Sequence, residues 1–386
     1  LKPIDFEPLE IAINILRQSE NSDFKGYDPY DGLNSPLLDT LPILRNKYSM
    51  ILLTQFFKNF PLNLRLFLGI KKERNAKGIA LFASGILNLY NSKKDPKYLR
   101  LANTLLDWLK KNRSPFTDYF AWGYNFPWQS RNSFKPKYFP NVVTTSFVAH
   151  SFLDYYERTK NKEFLGIATS AASFIIEELN IYKDKRGICF SYSPADNERV
   201  YNATLLAAWL LLRVRKFNHI EKLYKYGIES LRFVIESQNR DGSWFYGDNT
   251  NQKWIDNFHT GYNLWVLIEI RKLIKFKGLI ECTEKGLNYY IKNLFDENFL
   301  PKYYNNKKYP LDIHSFAVSI IVLLKYENVK EANQILKEAF GLLYSGKGYF
   351  FYRRYPFLVN KINYVRWANA WMFYALTELG KYENMD

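Results

Sequence analysis

The chain has 386 residues, 47% of them apolar, enough for a large core and too many for a disordered chain. Lys and Arg exceed Asp and Glu by 54 to 38, a formal charge of +16, which favours a polyanionic partner: an acidic glycan, nucleic acid or an anionic lipid surface. Lys scattered over solvated helix faces accounts for part of that excess.

No run of 18 apolar residues occurs, so no membrane span is expected, and Cys189 and Cys282 are too few for a disulfide framework or a cysteine metal site. A soluble, cytoplasmic protein is the favoured expectation. The Leu at position 1 leaves a trimmed start open, and the oligomeric state is not readable. Thirty Tyr and nine Trp exceed what a helical core needs and suit a groove that stacks on sugar rings or bases.

Taken in chain order, the first predicted helix lies near 7–20. "GYDPYDG" (26–32) follows as an acidic, aromatic loop, and the apolar stretch 37–60 fits no repeat. "NAKGIALFASGILNLYN" from Asn75 then opens a helix that is apolar nearly all round. Five later segments open the same way, at Asn141, Arg199, Asp256, Leu311 and Tyr364. Aligning these five stacks Thr144, Asn202, His259, His314 and Arg366, at spacings of 58, 57, 55 and 52. Between them, "DPKYLRLANTLLDWLKKN", "NKEFLGIATSAASFIIEEL", "IEKLYKYGIESLRFVIESQ" and "CTEKGLNYYIKNLF" are apolar on one side only, the pattern of outer helices.

Two helices per unit at a period of about 55 residues predict a stack or ring of helical hairpins. The last inner helix, near 364–380, has no outer partner after it, and helix 7–20 has none before it. Pairing them closes six hairpins into an all-α (α/α)6 toroid. The expectation is a single domain over 1–386, with 1–74 closing the ring and covering its mouth and 75–386 carrying the repeats. An open solenoid is the alternative, but it needs polar capping helices that "WANAWMFYALTEL" does not supply. In a ring, the aligned polar residues would share one rim.

"QNRDGSWFYG" (238–247) resembles one copy of the Gln…Gly-x-Trp repeat of triterpene cyclases and protein prenyltransferases, which are also toroids. The resemblance implies a structural turn with Trp244 packing across it; the cyclases' Asp-rich acid motif and the prenyltransferases' zinc set have no counterpart. Over roughly 75–380 the chain looks more like the six-hairpin carbohydrate-active enzymes: glycoside hydrolases, uronate-acting lyases and the C-terminal domain of glucuronyl C5-epimerases. "GYDPYDGLNSPLL" and "YVRWANAWMFYAL" look like motifs of a group associated with polysaccharide biosynthesis.

Chemistry-bearing residues gather at the loops that open the inner helices. They are Tyr27, Asp28, Tyr30 and Asp31; Trp122, Tyr124, Trp128 and Arg131; Tyr192, Asp196, Glu198, Arg199 and Asn202; Trp254, Asp256 and His259; Asp312 and His314; and Tyr352, Arg353, Arg354, Tyr355 and Arg366. Glycoside hydrolysis needs two flanking carboxyls, which Asp28, Asp31, Asp196, Glu198, Asp256 and Asp312 could supply. Uronate epimerisation or elimination needs a base at the carbon next to the carboxylate and a cation or amide to hold that carboxylate. His, Tyr and Arg at one rim fit the second list better.

The expectation is an enzyme acting on an acidic, uronate-containing polysaccharide. His259 or His314 with Tyr352 would move the proton, Asp256 and Asp312 would orient the imidazoles, and Arg366 would hold the carboxylate. Asn202, Trp254, Trp128, Tyr27, Asp28, Asp31, Tyr192 and Glu198 would bind the chain. Bland roles stand beside these: Asp28 and Asp31 shaping turns, Asp256 and Asp312 capping helices, buried structural histidines, and Arg366 paired with a buried acid. The histidines and carboxylates lack the local spacing of a zinc site, so neither metal nor cofactor is expected. The remaining alternatives are a non-catalytic glycan-binding toroid, a terpenoid or prenyl-transfer enzyme, which would need an apolar mouth and a diphosphate site, and a nucleic-acid binder, disfavoured because the Lys are scattered.

Overall fold

A computed structural model describes residues 7–130 and 133–382. In chain order the longer helices are α1 (Pro8–Asn21), the single-turn α2 (Leu37–Thr40), α3 (Lys47–Asn59), α4 (Ala76–Lys93), α5 (Pro96–Lys111), α6 (Val142–Thr159), α7 (Lys162–Glu178), α8 (Tyr201–Asn218) and α9 (Glu221–Ile235). There follow α10 (Asn257–Arg271), α11 (Leu279–Asn293), α12 (Ile313–Lys325), α13 (Val329–Leu343) and α14 (Trp371–Leu379). The strands are short: β1 (Trp128–Gln129) pairs antiparallel with β2 (Phe134–Lys135), and β3 (Ile181–Asp184) with β4 (Gly187–Phe190). β5 (Leu311–Asp312), β6 (Arg353–Arg354) and β7 (Val359–Asn360) form one antiparallel sheet in that order.

The chain divides into two compact units. The first comprises 1–109, 124–137 and 310–386, and the second 110–123 and 138–309. In the first, α14 packs between α4 and α12, and α13 packs on α12. Small residues permit the close contacts of α14: a Cβ on Gly85 would stand 2.6 Å from the Phe373 ring, and one on Gly380 would stand 2.3 Å from Leu9. The second contact belongs to α1, which lies against α14, as the pairing of the two unpartnered end helices predicts. In the second unit α6, α8 and α10 pack in sequence, backed by α7, α9 and α11.

The two helix types differ as their sequences predict. Along α8, every residue from Tyr201 to Val214 is buried. Along α5, only Tyr98, Ala102, Leu105, Leu106 and Leu109 are, one stripe at helical spacing. "QNRDGSW" is a structural turn: Trp244 is 1% exposed and its indole N–H donates to the Val234 carbonyl at 3.0 Å. Gln238 reaches across to the Cys282 carbonyl at 2.8 Å. The stretch 37–60, which no repeat accommodates, forms α2, a 3-10 turn (Pro42–Arg45) and α3. Among the described residues no helix is long and apolar enough to cross a membrane.

Candidate functional site

In the second unit the site grows from the N-terminus of α10. Asp256 has extended backbone and caps the helix, its Oδ1 accepting the His259 backbone N–H at 2.9 Å. Its other oxygen accepts the His259 Nδ1–H at 2.7 Å and the Trp254 indole N–H at 3.1 Å. Capping and imidazole orientation are therefore one device. Because the carboxylate takes Nδ1–H, the neutral ring keeps Nε2 as an acceptor, and no residue of the described structure bonds to it. Tyr246 stacks on Trp254 at 4.5 Å and leans on the His259 ring at 4.6 Å. The His259 side chain is 23% exposed, whereas that of Asp256 is 3% exposed.

The neighbouring α8 is tied to this cluster: its first residue, Tyr201, donates its backbone N–H to the Tyr246 carbonyl at 3.2 Å. Asn202 follows, and its Oδ1 is buried with no hydrogen-bond partner. The same holds for Thr144 Oγ1 on α6 and Asn263 Oδ1 on α10. Buried polar atoms are nearly always paired, so these three on adjoining inner helices are exceptions. Asp196 is a turn holder, accepting from Ser193 Oγ at 2.6 Å and from the backbone N–H groups of Tyr192 and Glu198. Tyr192 and Glu198 are both buried.

In the first unit the candidate acids are locked to arginines. Arg366 forks onto Asp28, with Nη2 to Oδ1 at 2.7 Å and Nε to Oδ2. Burial opposes the Arg366 charge, but Asp28 more than restores it and raises its pKa above the usual arginine value. A cavity of about 10 Å³ adjoins this pair, room for one water and not for a sugar. The expected grip of Arg366 on a substrate carboxylate would have to use Nη1, the nitrogen that Asp28 leaves over. Arg366 lies in a π-helical turn (Val365–Ala370) that leads into α14.

Arg65 binds Asp31 at 2.6 Å and the Asp28 carbonyl at 2.8 Å, so the "DPYD" loop is indeed a turn, but one clamped from inside. Asp312 receives Arg353 Nε at 2.6 Å, the Trp367 indole N–H at 2.9 Å and the His314 backbone N–H at 3.0 Å. It does not orient the His314 imidazole, contrary to the expectation that Asp312 would do so. With two residues of separation the carboxylate reaches only the backbone, and His314 Nδ1 instead meets the Trp367 carbonyl at 3.2 Å. His314 is 1% exposed and packed against Trp367 and Trp371.

Tyr352 is fully buried, edge-on to Tyr364 at 4.8 Å. Tyr27 faces Arg65 and Lys72, and Trp128 carries the Lys135 ammonium over its ring at 5.4 Å. Arg131 lies outside the described residues. Sequence reasoning missed Arg65 and Lys77. Lys77 sits in the first turn of α4 with its ammonium over Trp371 at 5.0 Å. Burial, and then Arg366, hold its pKa well below the ordinary lysine value. The available signal was a lone Lys opening a helix otherwise apolar all round.

No protein-family model matches the sequence. No curated protein matches it either. Solved structures do. The chain is similar to cellobiose 2-epimerase from Bacillus thermoamylovorans (TM-score 0.63, 13% identity, 81% of this chain and 88% of that one). It is also similar to a family 76 glycoside hydrolase from a bovine Bacteroides thetaiotaomicron strain (TM-score 0.66, 10% identity, 98% and 78%). A third is a sugar epimerase from a ruminal bacterium (TM-score 0.61, 12% identity, 81% and 90%). With the helix order above, these likenesses define the fold as an all-α (α/α)6 toroid of the kind found in carbohydrate-active enzymes.

Proposed function

We propose that this chain is a carbohydrate-active enzyme that moves a proton at carbon on an acidic, uronate-containing glycan, by C5-epimerisation or elimination. The observation that carries the reading is the Asp256–His259 pair: Nδ1 is held at 2.7 Å, Nε2 is left as an acceptor, and the ring is partly exposed. That is the preparation of a general base. The Tyr246–Trp254 stack beside it offers an aromatic face for a sugar ring, and Asn202 Oδ1 is an acceptor for a substrate hydroxyl. In the reaction His259 Nε2 takes the C5 proton, the electron pair moves toward the carboxylate as an enolate, and a proton returned to the opposite face completes epimerisation or loss of the C4 oxygen completes elimination. Asp256 stabilises the resulting imidazolium without being protonated itself.

Hydrolysis by two carboxyls is supported less. Asp28, Asp31 and Asp312 are each committed to an arginine, and Asp256 to an imidazole. The basic balance of +16 supports an anionic substrate. The epimerases and the glycoside hydrolase among the similar structures support a sugar substrate.

The test is incubation with uronate polymers in deuterated water. Deuterium at C5 reports epimerisation, an absorbing unsaturated product reports elimination, and new reducing ends without unsaturation report hydrolysis. His259→Ala should lower the rate by about a hundred- to ten-thousand-fold while glycan binding survives. Retained binding with no turnover on any glycan would leave a glycan-binding toroid as the better reading.

A further inference from the structure

The surface between the Asp28/Asp31 loop and α4 is unlike the rest. Among the described residues, nine of the nineteen exposed large hydrophobic side chains lie between 37 and 67. Ile43, Tyr48, Leu52, Leu62, Leu66 and Phe67 are each between 65% and 82% exposed. On α3 the exposure follows helical geometry: Tyr48, Leu52 and Phe56, four residues apart, point out, while Thr54 and Phe57 are buried.

The segment is anchored, because Phe57 packs on Gly32 and Arg65 binds Asp31. A second strip of chain joins it. The turn between β6 and β7 carries Phe357 fully exposed, and Asn360 Nδ2 bonds the Phe60 carbonyl at 3.2 Å. An apolar face of this extent on an anchored element marks an interaction surface.

The charge around it selects the occupant. Residues 37–72 contain Arg45, Lys47, Lys58, Arg65, Lys71 and Lys72 against one acidic residue, Asp39. Arg65 is neutralised inside by Asp31, Lys58 and Lys72 stand over the Tyr30 and Tyr27 rings, and Lys47, Lys71 and Lys72 are exposed. A second copy of the same face would bring like charges together. A glycan gains little from Leu and Ile side chains. Leu, Ile and Phe rimmed by Lys and Arg are the composition of an element lying in the plane of a lipid headgroup layer.

We propose that residues 37–67, with the turn at 357–358, form a docking surface for an anionic lipid bilayer. The apolar side chains enter the headgroup–acyl boundary and the basic residues meet the lipid phosphates. This proposal is independent of the catalytic reading. It would place the chain at a membrane surface.

The experiment is co-sedimentation of the full chain with phosphatidylcholine vesicles, and with vesicles in which a third of the lipid is phosphatidylglycerol. Binding to the second and not the first is expected, weakening as salt rises. Lys47→Glu and Lys71→Glu should each lower partitioning by about fivefold or more, since each basic residue near an anionic surface contributes about that factor. Leu52→Asp with Phe67→Asp should lower it by at least tenfold at an unchanged circular dichroism spectrum, because both side chains are exposed. Leu52→Trp should give a blue-shifted emission with the anionic vesicles alone.

Three results would overturn the proposal. One is no sedimentation with anionic vesicles at low salt. Another is binding indifferent to the two apolar substitutions, which would be plain charge adsorption. The third is lipid-free self-association, or capture of an acidic protein, that those substitutions abolish.

Discussion

Asp256→Asn separates the two jobs of the Asp256 carboxylate. As a helix cap, Asn is about as good as Asp, so α10 should keep its first turn. As a partner of the imidazole it inverts the geometry, because the amide can present an N–H where the carboxylate accepted one. The bond at stake is 2.7 Å long, charge-assisted, and made by an acid 3% exposed. Losing such a bond costs about 1.5–3 kcal/mol in stability. The tautomer effect falls on activity: a His holding its proton on Nε2 cannot accept one there, and turnover should fall by about a hundred- to ten-thousand-fold. Proton-detected ¹⁵N spectra of the imidazole give a readout that needs no substrate. Wild type should show the Nδ1–H tautomer and Asp256→Asn the Nε2–H tautomer. An Nε2–H tautomer in the wild-type protein, or a variant turning over within threefold of it, would refute the argument.

Other consequences follow from individual contacts. Glu378 is buried, and although burial alone would raise its pKa, Lys325 and Lys381 hold it far below the usual carboxylate value. Its stabilisation is therefore present above the ordinary carboxylate range and lost as pH falls through and below it. In urea titrations, the stability gap between wild type and Glu378→Gln should be about 3 kcal/mol at neutral pH and shrink on acidification; a pH-independent gap would contradict this. Asn202→Leu removes an unsatisfied buried oxygen, so it should leave Tm unchanged or raise it while raising KM for the glycan; a fall in Tm would show that the amide is structurally paired. Gly242 has φ +91°, and a Cβ there would stand 2.3 Å from the Lys285 carbonyl, so Gly242→Ala should destabilise by about 2 kcal/mol or more, read from the denaturation midpoint.

Much of the fold was written in local pattern. Helices apolar all round alternate with one-sided helices, and each pattern is a consequence of burial that survives in a single sequence. The pairing of α1 with α14 followed from counting unpartnered helices. The site was legible only where its parts are neighbours in the chain, as Trp254, Asp256 and His259 are. Arg65 lies 34 residues from Asp31, and Arg353 lies 41 from Asp312. No periodicity links such pairs, so acids that read as candidate catalysts proved to be halves of buried ion pairs. The stretch 37–60 resisted placement because its apolar stripe faces outward, which a rule assigning apolar residues to the core cannot anticipate.

The chemistry of the candidate acids argues for one centre of reactivity over the rest. A buried carboxylate held by a guanidinium cannot act as an acid or a base without leaving a charge unpaired, at a cost of about 3–5 kcal/mol. Asp28, Asp31 and Asp312 are all in that position, at 3%, 3% and 0% exposure. Their pairs fix the "DPYD" loop, the π-turn and the β5–β6 ladder. Asp256 is as deeply buried, but its partner is an imidazole, whose Nε2 can accept a proton while the carboxylate stays beside the charge that forms. A further contrast lies in the histidines themselves. His314 is enclosed by two indoles and bonds a backbone carbonyl, whereas His259 keeps a ring edge toward solvent. If proton transfer at carbon is the reaction, His259→Ala must lower its rate by about a hundred- to ten-thousand-fold. His314→Ala should act first on stability, through the cavity it leaves between Trp367 and Trp371. A His314→Ala variant with unchanged Tm and no turnover would move the proton-transfer role from His259 to His314.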